Sequence, residues 1–255
     1  MIPANLISTL FATGFVATIT ISANTTNYDV ATALTAVGWD GSTAVDATIT
    51  INSGVTVDAT STAAAAFKAT SLPVGSILRV TNNGNIRGFG GAGGAGGTNA
   101  GNAVSGSTGG KAFEVTCTSI VNNLGTISAG SGGNGGNAAS RSGGVSGSIS
   151  AGCAADISCI KNCDIGFCNT NTGATGALGT TGGGTNGSTG GAGSSSSYGS
   201  SIVCSAVSGC TGAGCNTVVT CLTGSPGAGG AVGNAVVGNS NITWTNTGTR
   251  NGGIV

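Results

Sequence analysis

Nine cysteines, seven acidic side chains and no histidine make up the reactive inventory of this 255-residue chain. Eight cysteines form two groups, Cys153, Cys159, Cys163 and Cys168, then Cys204, Cys210, Cys215 and Cys221. The gaps are five, three and four residues in the first group and five, four and five in the second. A tetrahedral metal site usually draws on C-x-x-C pairs, and none is present. The spacing therefore favours disulfides over metal, within or between the groups, with the connectivity open. The odd ninth, Cys117 in the strand-like FEVTCTSIV, is expected to be a buried free thiol. Asp156 and Asp164 lack the Asp-x-Asp-x-Asp spacing of a calcium loop. Without histidine there is no Ser-His-Asp or Cys-His pair, and the commonest general base is missing. GxGxxG patterns recur but never end in GK[ST], which argues against a phosphate loop. The expectation is a chain that is no enzyme and holds no cofactor and no metal.

Three further side chains stand out as contacts. Phe167 in DIGFCN and Tyr198 in GSSSSYGSS are lone aromatics in polar loops. Each either touches a protein or sugar surface or plugs the end of a scaffold. Arg141 in AASRSGG is either a contact or a soluble tip. Trp39 and Trp244 adjoin strand patterns and are expected in the core.

The elements that must position these residues are set by glycine. From Gly88 to Gly97 the chain reads GFGGAGGAGG, with glycine at two of every three positions from Gly90 onward. The polyproline II helix has three residues per turn, so such a run lines an edge with bare backbone. Bare edges allow a second backbone close enough for N–H and C=O groups to pair across segments. The period returns at Gly130, Gly132, Gly133, Gly135 and Gly136, at Gly173, Gly176, Gly179 and Gly182, at Gly184, Gly187, Gly190 and Gly193, and at Gly224, Gly227, Gly230 and Gly233. Gly91, Gly94, Gly97, Gly133, Gly136, Gly176, Gly179, Gly190, Gly227 and Gly230 are the expected packing positions. With 51 glycines but 3 prolines, and interrupted tracts, the pattern is not collagen.

Charged residues are only 5% of the chain, the formal net charge is zero and the mean hydropathy is +0.32. That composition disfavours disorder. With no basic face, nucleic acid is an unsuitable partner. VATITIS at 16–22, residues 47–51, 55–57 and 77–80 read as strands. Asn52-Ser53-Gly54 and Leu72-Pro73-Val74-Gly75 read as turns, so 49–57 is a hairpin or a β-coil corner. Asn27 is placed as the cap of a helix over 28–37 with Val30, Leu34 and Val37 on one face and Gly38 as its stop. A unit also repeats. VTNNGNI at 80–86 recurs as VNNLGTI at 121–127, shifted by 41 residues, and is echoed by WTNTGT at 244–249 after a further 123. Each unit is expected to run strand, asparagine–glycine corner, glycine tract, with 98–112, 149–172 and 194–223 as return loops. The fold expectation is mostly β and irregular: a small β-rich N-terminal base over residues 1–87, then a polyglycine II bundle with long loops over 88–255.

The stretch SILRVTNNGNIRGFGGAGGAGG and the tracts after it resemble the glycine-rich region of bacteriophage tail-tip and tail-fibre adhesins. YDVATALTAVGWDG and VDATITINSGVTVDAT are similar to a module that often precedes such tracts. The resemblance covers residues 75 to about 240 by pattern. It implies a polyglycine II bundle whose distal loops meet a bacterial outer-surface receptor, protein or glycan. It also implies other tail proteins as partners and a location on the virion tail, outside the cell. The number of copies, including a homo-oligomer, stays open. The tracts here are less pure than in those adhesins, and nine cysteines are not a family feature.

The N-terminal run MIPANLISTLFATGFVATITIS has no basic residue in front, is broken by Pro3, Asn5 and Gly14, and is too short and polar to span a membrane. Either the chain travels without the general secretory route, as virion assembly inside a cell would allow, or the sequence as given lacks its signal. An alternative is an ice-binding glycine-helix protein, which needs a flat Thr and Ala face. Ala92, Ala95, Thr172 and Thr175 offer only a fragment of one. A purely structural virion or surface protein is the third reading.

Overall fold

The computed structural model describes residues 14–97, 102–137, 160–161, 177, 179–184, 205–206 and 225–255. Short strands carry the chain around a triangular path five times. The first coil holds β1 (Phe15–Ile21), β2 (Thr25–Thr26), β3 (Tyr28–Asp29) and the helix α1 (Val30–Ala36). The second holds β4 (Val45–Ile51), β5 (Thr56–Asp58) and β6 (Phe67–Ala69), and the third β7 (Ile77–Asn82), β8 (Asn85–Arg87) and β9 (Phe113–Val115). The fourth runs through β10 (Thr118–Asn123) and β11 (Thr126–Ser128). After the small pair β12 (Ile160–Lys161) and β13 (Ser205–Ala206), it resumes in β14 (Asn234–Val237). The fifth holds β15 (Ile242–Asn246), β16 (Thr249–Asn251) and β17 (Gly253–Ile254). Stacking gives three five-stranded sheets, β1-β4-β7-β10-β15, β2-β5-β8-β11-β16 and β3-β6-β9-β14-β17, with every neighbour parallel. The chain is mostly β and irregular, and 49–57 is a coil corner, since β4 and β5 enter different sheets.

Alternating residues turn inward from each sheet and stack on themselves. Ile49, Val80 and Val121 align in the first sheet, Val57, Ile86 and Ile127 in the second, and Phe67, Phe113 and Val236 in the third. All are buried. The rings of Tyr28, Phe67 and Phe113 stack at 5.6 and 4.9 Å between centroids. Each such aliphatic side chain stabilises the fold by about 1.5–3 kcal/mol. Outside, ion pairs join neighbouring coils: Lys68 to Asp29 at 2.8 Å, Arg87 to Asp58 at 2.7 Å, and Arg79 to Asp46. Solvent reaches all three, so each contributes under about 1 kcal/mol.

The corners carry the asparagine pattern. Buried Asn82 donates to Asn123 Oδ1 at 2.8 Å, and buried Asn123 donates to the carbonyl of Thr247 at 2.8 Å. The 41-residue shift is therefore one coil step, Asn82 lying opposite Asn123. The 123-residue shift is also one step, because Val121 lies opposite Trp244. The 123 residues therefore do not mark three further coils, since β11 and β14 belong to the same coil. The helix differs as well. Its cap is Asp29, whose Oδ1 accepts from Ala31 N–H at 2.9 Å, and it spans Val30–Ala36. Asn27 instead sits at φ 47° and ties the first coil to the second through Asp58 and Thr60. Gly38, at φ 101°, does end the helix; Val30 and Leu34 are buried, but Val37 is exposed.

Cys117 is buried with its Sγ 3.7 Å from Ser119 Oγ, and burial pushes its thiol pKa up. Thiolate is the reactive form, so this thiol is inert. Alkylation of the native chain should leave Cys117 unmodified, and denaturant should expose it, as read by peptide mapping. Labelling at the rate of a free thiol in native buffer would contradict the burial.

Candidate functional site

The glycine tracts leave the coil stack between β8 and β9 and between β11 and β14. They run straight, without strand ladders, and bond to each other at every third residue. Gly88, Gly91, Gly94 and Gly97 donate to Ser128, Ser131, Asn134 and Asn137, so 88–97 and 129–137 are parallel. Val104, Ser107 and Gly110 donate to Ala95, Ala92 and Phe89, so 102–112 turns back antiparallel to the first segment. Part of the stretch expected as a return loop is thus itself a straight segment. Gly106 and Gly109 donate to Ala228 and Ala231, and Gly227, Gly230 and Gly233 donate to Gly136, Gly133 and Gly130. Gly179 and Gly182 donate to Gly91 and Gly88, and Ser131 and Asn134 donate to Thr180 and Ala177.

Segment 129–137 is the centre, bonded to all four others and mostly buried. Side chains do not fit between such backbones. A Cβ on Gly91 would strike Ser107 O, on Gly94 Val104 O, on Gly133 Ala92 O and on Gly136 Ala95 O. On Gly179 it would strike Ser131 O, on Gly227 Val104 O and on Gly230 Ser107 O. Gly97 donates to Asn137 O at 2.9 Å. Residues between the packing glycines point out: Phe89, Ala92, Ala95, Ala228 and Ala231 are exposed.

One end of this layer joins the coils, where Gly182 and Gly184 bond to Gly88 and Ala129. The other is marked by Gly97, Asn102, Asn137, Ala177 and Ser225. Asn102 Oδ1 accepts from Ser225 N–H at 2.8 Å, a side-chain tie at that far end. Arg141, Phe167, Tyr198, Gly176, Gly190 and the eight clustered cysteines lie outside the described residues, as do Asp156, Asp164, Thr172 and Thr175. In the long segments, Ile160 pairs antiparallel with Ala206 and Lys161 with Ser205. This joins the stretches that carry the two cysteine groups.

The layer itself is uncharged. The segments 88–97, 102–110, 129–137, 179–184 and 225–233 hold no charged residue. The charges that border them are paired: Arg87, whose side chain lies against Gly182, with Asp58 at 2.7 Å, and Lys111 with Glu114 at 2.8 Å. Among the described residues no group of His, Cys, Asp or Glu could hold a metal ion, and no helix is long and apolar enough to cross a membrane. Sequence reasoning does not reach the register of the coil stack, nor the place of Trp244, which is half-buried on the last coil while Trp39 is in the core. Its one available signal was the 41-residue echo, which marks coil neighbours.

No curated protein sequence matches the chain. Among solved structures it is similar to the gp37-gp38 adhesin tip complex of the bacteriophage S16 long tail fiber. That likeness has 18% identity, covers 95% of this chain and 82% of that chain, and has a TM-score of 0.42. The family model of the phage tail fibre adhesin Gp38 matches residues 16–255, so it takes in the coil stack, the glycine layer and the segments leaving its far end. A neutral layer of backbone-paired segments built onto a coil stack suits attachment, and the chain belongs to the phage tail fibre adhesin Gp38 family: a virion tail protein that binds a receptor on the host.

Proposed function

We propose that the glycine layer is a polyglycine II bundle and that the segments joined to its far end hold the receptor-binding surface. The observation that carries this is the three-residue hydrogen-bond period shared by five segments. A three-residue turn repeats each donor along one edge, as the polyproline II geometry requires. A ten-residue tract then extends about 31 Å. Rigid support lowers the entropy cost of presenting loops, and loop residues can vary without disturbing the backbone pairing beneath them. Arg141, Phe167 and Tyr198 are the contacts, two aromatics and a guanidinium of the type that dominates binding surfaces. Disulfides among the eight clustered cysteines staple segments that have no core of their own. The work is recognition without chemistry.

We assign attachment to the rest of the tail to the first coil. Inward residues of the first coil, Phe15, Ala17 and Ile19, are half-buried, whereas their neighbours Val45, Ala47 and Ile49 are fully covered. Among the described residues β1 pairs on one side only. This open coil suits another tail protein that adds a parallel strand.

The test replaces 153–168 or 194–223 with a Gly-Ser segment and measures phage adsorption beside thermal unfolding of the purified chain. Adsorption should be lost while the midpoint holds. Tyr198→Ala and Phe167→Ala should each weaken receptor binding by about tenfold or more. Unchanged adsorption in both replacements would overturn the reading.

A further inference from the structure

The two ends of the coil stack differ in one respect. One inward row in each sheet runs through all five coils, so every coil supplies three row residues. In the first coil these are Ile19, Thr25 and Tyr28, opposite Ile49, Val57 and Phe67. None is charged. In the last coil they are Trp244, opposite Val121, Arg250, opposite Ile127, and Ile254, opposite Val236. Arginine thus occupies the row that Val57, Ile86 and Ile127 fill with buried aliphatics. Its guanidinium carbon lies 4.7 Å from the centre of the Trp244 ring, which reaches it from the neighbouring sheet. Trp244 is held from behind, its Nε1–H donating to Asn239 Oδ1 at 2.9 Å. The 3-10 turn Asn239–Asn241 is fixed in turn by Asn239 N–H donating to Val255 O at 2.8 Å.

The other cations of the coil stack, Lys68, Arg79, Arg87 and Lys111, each meet a carboxylate. Arg250 has a ring in place of one. A guanidinium over an aromatic face keeps its charge and needs no counter-ion while water reaches it. Covered by another coil, it would be a desolvated and uncompensated charge. Without it, the end would be a row of open strand edges over Ile242, Trp244 and Ile254. Such edges are a template for a further chain, and inward-pointing charges are one way proteins block them.

We infer that Arg250, held on Trp244, closes the last coil against stacking by a second copy of this chain, leaving the first coil as the end that accepts a partner. The lid is part of the coil stack and does not depend on how the far segments bind. The experiment uses the full chain and follows its mass by sedimentation velocity as concentration rises. Arg250→Leu should at least double the mass at the highest concentration, while Arg250→Lys, which retains the charge, should keep the parental mass. Arg250→Leu combined with Ile254→Lys returns a charge to the same end and should restore it. The inference fails if Arg250→Leu sediments like the parent, if Arg250→Lys associates equally, or if the double variant still associates, since misfolding would then be the cause.

Discussion

Gly133→Ala should destabilise the chain by about 3 kcal/mol or more, although it adds a single methyl group. Alanine would normally help, because it restricts the unfolded chain and is worth about 0.4–1 kcal/mol where the native backbone tolerates it. Here the new Cβ meets the carbonyl oxygen of Ala92, with Gly91 O also within 2.7 Å. A backbone carbonyl cannot rotate away as a side chain can, so a whole segment must shift. That shift strains the bonds from Gly133 to Ser107 O at 2.9 Å and from Gly230 to Gly133 O at 2.8 Å, both in the buried centre of the layer. Denaturant unfolding gives the value, and Ala92→Ser, on the exposed side of the same layer, should stay within about 0.5 kcal/mol of the parent. If Gly133→Ala unfolds like the parent, close backbone contact is not what holds the segments together.

The second large effect is expected at a corner of the coil stack. Asn123→Ala should cost about 2–4 kcal/mol, since it strands polar groups on both sides of a buried position. Asn82 Nδ2 loses its nearer acceptor at 2.8 Å and keeps only Thr126 O at 3.4 Å, while the carbonyl of Thr247 loses a donor at 2.8 Å and that of Thr249 one at 3.3 Å. Its neighbour Asn122 is only half-buried, and Asn122→Ala should be nearly neutral. Hydrogen exchange gives a sharper signature. Amides of β15 and β16 should lose protection first, because Asn123 is the side chain that ties the fifth coil to the fourth at that corner. Uniform loss of protection across all five coils would argue against this local role.

The extent to which the fold is legible follows from the range of each signal. Strands at 16–22, 47–51 and 77–80 are readable because alternation is a local property of extended backbone. The glycine period is equally local: three residues per turn set which positions face a neighbour, and Gly91, Gly133 and Gly227 carry no side chain where backbones meet. The helix cap is Asp29, two residues beyond the Asn27 that the sequence suggests. Asn27 and Asp29 are both good caps by type, and a contact from the second coil takes Asn27 away. Arg250 looks like an ordinary exposed charge in TNTGTRNGG, since the sequence does not say that its partner in space is Ile127, 123 residues earlier.

Local chemistry written along the chain determined the elements of this protein: alternating strands, asparagine–glycine corners and segments bare of side chains. Only the tertiary structure decided which elements are neighbours. It stacked Trp244 directly on Val121 despite the long excursion between them, ran 102–112 back along 88–97, and turned Arg250 inward on the last coil. The physical reason is that periodicity is set by a few adjacent torsions, whereas strand partners are chosen by burial and hydrogen bonding between residues far apart in sequence.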